Sequence, residues 1–174
     1  MKIIEKYSHL NGEEYLIVHH KPVLDEIIKV IQSVNTDKFR TKVSKEKTMR
    51  GKKLFNPKAL NIEFDRLFQQ LNWKSVKYSY YITTDRTIMN ELITLSPKEQ
   101  KEFLIKHGID SPIKSYKQTD FVKDNIAVEV QFGKYSFVAY DLFVKHLLLY
   151  TGGVINVGIE VLPMKSMRTR CLLV

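Results

Sequence analysis

Between Ile126 and Phe132 an extended chain alternates its side chains, so Ile126, Val128, Val130 and Phe132 point one way and Ala127, Glu129 and Gln131 the other. One face is wholly apolar, and the other carries a carboxylate beside an amide. Upstream, Thr119 to Val122 is joined to this segment by the polar stretch Lys123-Asp124-Asn125, and the two read as an antiparallel hairpin. Such a hairpin returns Asp120 toward Glu129 and Gln131. Two anionic oxygens held together repel unless one is protonated or a cation lies between them. Hard oxygen ligands suit Mg²⁺, which keeps several waters and borrows further ligands from phosphate. The chemistry this would serve is metal-assisted hydrolysis of a phosphodiester. Taken as bare spacing, Asp-x8-Glu-x-Gln fits a pair of solvated surface acids as well.

These groups need a frame. Ser136 to Tyr150 is apolar on most faces, as expected of a helix covered on two sides, by its own sheet and by a partner chain. Gly152-Gly153 ends it, and Val154 to Leu162 reads as a strand stopped by Pro163. Strand, helix and strand form a crossover unit, expected to be right-handed with parallel strands. Upstream, Lys2 to Tyr7 is short and β-prone, Asn11-Gly12 is a turn, and Tyr15 to Val18 is an apolar strand or helix. After Pro22, the positions Leu24, Ile27, Ile28, Ile31 and Val34 predict an amphipathic helix to about Asn35. Asn56 as N-cap, Pro57, and an apolar face of Leu60, Phe64, Leu67, Phe68 and Leu71 predict another. Tyr78 to Thr83 suits a strand, and Ser96 to Glu99 is a capping box opening a helix that Gly108 closes.

With 174 residues, 44% of them hydrophobic, and no repeat or linker to divide it, the chain is expected to be one α/β domain over residues 1–174. Lys+Arg 28 against Asp+Glu 19 leaves a net charge of +9, which favours polyanionic partners such as a phosphate backbone. The run from Arg40 to Lys53 reads as an exposed basic loop or frayed helix, and its Lys45, Lys47 and Arg50 are candidate phosphate contacts. The single cysteine, Cys171, excludes an internal disulfide and a Cys-rich zinc site, and fits a reducing compartment. No signal-like start and no bilayer-length apolar run is present, so a soluble cytoplasmic protein is expected. His9, His19 and His20 could ligate zinc, but lack cysteine or acidic companions. Glu26 could serve as an auxiliary acid or simply face solvent. Tyr78, Tyr80 and Tyr81 could stack on bases or pack in a sheet.

The longer strings narrow these options. Ser115 to Asp124 and Ala127 to His146 resemble the BglII/BstYI-like group of type II restriction endonucleases, within the PD-(D/E)xK nucleases. Collinear likeness continues in Tyr7 to Gly12, Glu14-Tyr15, Ser44 to Thr48 and Val161 to Lys165, covering most of the chain. The resemblance implies a restriction-endonuclease-like core: a mixed central sheet flanked by helices, dimerising through helices and holding duplex DNA in a cleft.

It further implies that Asp120 and Glu129 bind Mg²⁺ and, with Gln131, form the catalytic set, the main-chain carbonyl of Val130 being a further metal ligand. Gln131 stands where most PD-(D/E)xK nucleases have lysine, and the BglII/BstYI-like group shares this glutamine. A neutral amide cannot act as a cation, so its implied role is to orient the attacking water. Lys134 falls where the resemblance puts a base-reading side chain, one able to donate to N7 of either purine. The implied activity is double-strand cleavage by a homodimer at a palindrome with a GATC core, purine-GATC-pyrimidine, leaving 5′ overhangs. A companion DNA methyltransferase is implied as well. Relatives continue beyond Leu162-Pro163-Met164, whereas this chain ends at Val174, so a shortened C-terminus is expected. The alternative is therefore a catalytically impaired relative that binds GATC-containing duplex without cutting it.

Overall fold

The computed structural model describes residues 1–45, 47–133 and 135–164. In chain order, helices α1 (Gly12–His19) and α2 (Lys21–Ser33) precede a two-stranded ladder of β1 (Lys42–Val43) and β2 (Lys53–Leu54). Helix α3 (Pro57–Gln70), strand β3 (Lys74–Ile82), helices α4 (Arg86–Leu92) and α5 (Pro97–Lys106), and strands β4 (Ile113–Lys123) and β5 (Ile126–Val130) follow. A crossover helix then passes from a short α6 (Val138–Tyr140) through a π-helical stretch (Asp141–His146) into α7 (Leu147–Thr151), and β6 (Val157–Val161) completes the sheet. The sheet is mixed, in spatial order β3-β4-β5-β6: the first three strands are antiparallel, and β6 runs parallel to β5.

The β4–β5 turn shows why this hairpin closes where it does. Asp124 and Asn125 have φ of 48° and 61°, the left-handed pair that a two-residue hairpin loop requires and that Asp and Asn tolerate. Lys123 pairs with Ile126, and each further step along the ladder preserves the two-face alternation. On one face Ile126, Val128, Val130 and Phe132 pack with Phe64 and Phe68 of α3, Trp73, and Val23, Ile27 and Val30 of α2. Ring centroids of Phe68 and Phe121 lie 4.5 Å apart, and those of Phe64 and Phe132 5.5 Å. On the other face Ala127 packs with Leu149 of α7 and Ile155. Helices therefore cover both faces, and all five residues of β5 are buried.

Several elements differ from expectation, each for a physical reason. Lys2 to Tyr7 forms no strand, since no neighbouring strand takes up its backbone groups; the amino terminus instead bonds to the carbonyl oxygens of Gln32 and Val34. Tyr15 to Val18, open between strand and helix in the sequence, takes the helical option within α1, whose entry is set by Asn11 in the left-handed region. The basic run is an exposed connection with a short 3-10 turn at Lys47–Met49, as the loop reading expects, but its ends are closed by the antiparallel pairing of β1 and β2; Leu54 and Phe55 beside it are buried, with the Arg40 guanidinium 5.3 Å from the Phe55 ring. Helix α4 had no clear apolar period; Asp85 caps it by accepting from the Thr87 N–H at 2.9 Å. Among the described residues no helix is long and apolar enough to cross a membrane.

Glu26 is committed to this frame. Its carboxylate accepts from Trp73 Nε1 at 3.0 Å and from Lys123 Nζ at 2.7 and 2.8 Å, tying α2 to the start of β3 and to the hairpin turn. These contacts leave it a structural acid instead of an auxiliary ligand. Replacing it strands an indole donor and an ammonium, so Glu26→Ala is expected to cost about 1–3 kcal/mol in urea unfolding while leaving the helix content unchanged by circular dichroism.

Candidate active site

Continuing the β4–β5 register by one step from Phe121↔Val128 sets Asp120 opposite Glu129, so both side chains rise from the same face. The Asp120 backbone N–H donates to Glu129 Oε1 at 3.1 Å. On the other side of β5, the parallel register pairs Glu129 directly with Glu160 of β6. Three acids thus line up across three adjacent strands, an arrangement that like-charge repulsion opposes.

What offsets the repulsion comes from the crossover helix. Lys145 Nζ stands 2.9 Å from Glu129 Oε1 and 2.8 Å from Asp141 Oδ1. Gln131 Nε2 donates to the other Asp141 oxygen at 2.7 Å. The π-helical stretch makes this possible: i→i+5 bonding widens the turn, so that residues four and five beyond Asp141 both face inward. Asp141, Lys145 and His146 are all buried as a result. Glu129 is 1% exposed, and nearly all its solvation has been replaced by these contacts.

The ionisation of the cluster follows from crowding. Asp120 keeps a side open to solvent, yet loss of hydration, the Glu129 charge and a shared hydrogen bond push its carboxyl up to about 7. Burial, with the Asp141 and Glu129 charges, pushes Glu160 up to about 8. Burial alone would lower Lys145, but its bonds to Asp141 and Glu129 hold it above the ordinary lysine range. Burial lowers His146. Its Nε2 lies 3.7 Å from Glu160 Oε1, and among the described residues neither Glu160 oxygen has a hydrogen-bond partner. The imidazole lies against Gly158, where a Cβ would meet Nδ1 at 2.3 Å, so only glycine fits there.

Among the described residues no three His, Cys, Asp or Glu side chains form a ready-made metal cage. The donor set fits a hard cation nonetheless. Asp120 and Glu129 supply adjacent carboxylates on neighbouring strands, and the Val130 carbonyl lies between Glu129 and Gln131 in the chain, an all-oxygen donor set of the kind Mg²⁺ takes. Lys134 lies outside the described residues, as does Cys171. Lys45, Lys47 and Arg50 are exposed, and the β1–β2 ladder that brackets them is separate from the main sheet. His19 and His20 gather around Tyr15, with His20 Nε2 3.3 Å from its hydroxyl. Tyr78 is half-buried in the packing on the Ala127 face. Sequence reasoning missed Asp141, Lys145 and Glu160; a lone Asp and Lys spaced i,i+4 within an apolar helix was the available signal.

A protein-family model described as restriction endonuclease BglII/BglIII matches residues 4–171, nearly the whole chain. A search of curated proteins returned no match.

The buried Glu160 makes stability pH-dependent. Its folded-state pKa lies above the unfolded value, so its favourable contribution is complete below about pH 4.3 and is lost as pH rises toward 8. In urea titrations of the metal-free protein, Glu160→Gln is expected to flatten this decline and to gain about 1–3 kcal/mol over the parent above pH 8. An unchanged slope would show that ionising Glu160 carries no penalty.

Proposed function

Because this chain belongs to the restriction endonuclease BglII/BglIII family, we propose that its carboxylate cluster is the Mg²⁺-dependent cleavage centre of a PD-(D/E)xK core. Membership makes it a site-specific deoxyribonuclease, a hydrolase acting on double-stranded DNA within a restriction-modification system. The observation that carries the finer reading is the juxtaposition of Asp120 and Glu129 on adjacent strands, linked by the 3.1 Å bond from the Asp120 N–H.

Asp120, Glu129 and the Val130 carbonyl would hold the metal. Bound there, Mg²⁺ would supply Lewis-acid polarisation of the scissile phosphate and a lowered pKa for the attacking water. The chain's own residues do the remaining work. Glu129 is fixed by Lys145 and by the Asp120 N–H, so its oxygens are oriented before DNA arrives. Gln131 donates to Asp141, which leaves its amide oxygen as the acceptor with which it can orient a water.

Lys134 is assigned to base reading, at the outer purine position of a purine-GATC-pyrimidine palindrome cut to leave 5′ overhangs. Lys45, Lys47 and Arg50 are assigned to the phosphate backbone; their exposure in the loop that the β1–β2 ladder closes and the net charge of +9 favour that role. A palindrome calls for two copies of the chain. Phe143, Leu147 and Tyr150, exposed at 74%, 57% and 60%, form an outward apolar stripe on the crossover helix suited to a twofold contact. Such an enzyme works in the cytoplasm beside a companion methyltransferase that protects the host sequence.

Digestion of unmethylated plasmid with Mg²⁺, followed by end sequencing, tests this reading. The expected result is discrete duplex fragments ending at GATC-containing sites, abolished by EDTA. Asp120→Ala and Glu129→Ala are each expected to slow cleavage by roughly a hundredfold or more. A gel shift on GATC duplex with no product at any divalent metal would instead identify a non-cleaving DNA binder. Replacing Lys45, Lys47 and Arg50 together by alanine is expected to reduce the slope of log affinity against log salt by about 2.7, if each residue neutralises one phosphate. An unchanged slope would remove the ladder from the interface.

A further inference from the structure

Position 131 holds a glutamine, so the strand itself brings no positive charge to Asp120 and Glu129. The crossover helix does. Lys145 reaches Glu129 at 2.9 Å and Asp141 at 2.8 Å, with its side chain only 10% exposed. Burying an ammonium is costly unless it is paired and hydrogen-bonded, and here both partners are themselves buried acids. The Gln131 amide secures the far side of Asp141 at 2.7 Å. The glutamine and the lysine are thus two ends of one chain of contacts: Gln131 positions Asp141, Asp141 positions Lys145, and Lys145 neutralises Glu129.

We propose that Lys145 is a built-in counter-ion that takes over, from the helix, the charge that Gln131 cannot supply on the strand. It is a positioning residue: it acts through Glu129, pairing with that carboxylate and fixing its orientation, and it competes with a divalent cation for the same oxygen. The inference deepens the nuclease reading above and rests on it.

The decisive measurement is calorimetric Mn²⁺ binding to the DNA-free protein, which needs no turnover. Lys145→Met keeps the length of the side chain and removes the competing charge, and is expected to tighten Mn²⁺ binding roughly tenfold while slowing cleavage by about a hundredfold at saturating metal. Lys145→Arg, which keeps the charge, is expected to retain the weaker parental Mn²⁺ affinity. A merely structural lysine would lower thermal stability without moving metal affinity. Should Lys145→Met fail to fold, Gln131→Lys in the same chain decides: it returns a cation to the strand within reach of Asp141 and is expected to restore folding. A folded Lys145→Met protein with parental Mn²⁺ affinity overturns the proposal, as does a double variant that stays unfolded. If the parent protein cuts no DNA yet the affinity shift appears, the nuclease reading fails and the counter-ion stands.

Discussion

Carboxylates that the sheet forces side by side must be neutralised, and most of the architecture around this cluster answers that constraint. Strand pairing leaves Asp120, Glu129 and Glu160 no freedom to separate, because their positions are set by backbone registers on both sides of β5. Like charges directly opposite are destabilising even at a surface, and β5 is buried throughout. The fold offers two kinds of relief. One is a buried ammonium held between Glu129 and Asp141; the other is the upward shift of the Asp120 and Glu160 carboxyls, which burial and the neighbouring acids move toward the protonated form and the Lys145 charge only partly opposes.

That relief depends on an irregular helix packed on a regular sheet. An ordinary α-helix would carry residue 146 around to a different face from 141 and 145, whereas the π-helical stretch turns Asp141, Lys145 and His146 inward together. The sheet accommodates the intrusion at Gly158, which makes room for the His146 ring. On the opposite face, the aromatic packing of Phe64, Phe68, Phe121, Phe132 and Trp73 is free of such polar demands. The apolar face supplies stability that offsets the cost of burying charged groups on the other.

Legibility from the amino-acid sequence follows the range of the physics involved. The hairpin and its two faces depend on alternation over a few residues and on Asp124-Asn125, so they can be read locally; the proximity of Asp120 to Glu129 comes with them. The parallel pairing of β6 was legible from the length of the crossover. Lys145 was not, because its burial depends on a π-turn that leaves no trace in hydrophobic periodicity. Glu160 was hidden for another reason: only the β5–β6 register places it beside Glu129. The β1–β2 ladder shows the converse error, in which many lysines masked two buried anchors, Leu54 and Phe55. Lys2 to Tyr7 had strand propensity but no strand to pair with, and propensity without a partner decides little.

One element therefore serves two boundaries. The inner face of the crossover helix carries Lys145 to Glu129, and its outer face presents Phe143, Leu147 and Tyr150 to solvent. A π-helical turn has weaker intrinsic stability than an α-helical one and is retained where surroundings enforce it. The inward enforcement is the charge network; an apolar stripe of this size is ordinarily covered by another surface, which would press the helix from outside. A contact on the stripe bears on the same few residues that set the position of Lys145. Under the proposed twofold contact, assembly and the electrostatics of the cluster would share one mechanical element, since moving the helix by a fraction of a turn would break ion pairs whose lengths are below 3 Å.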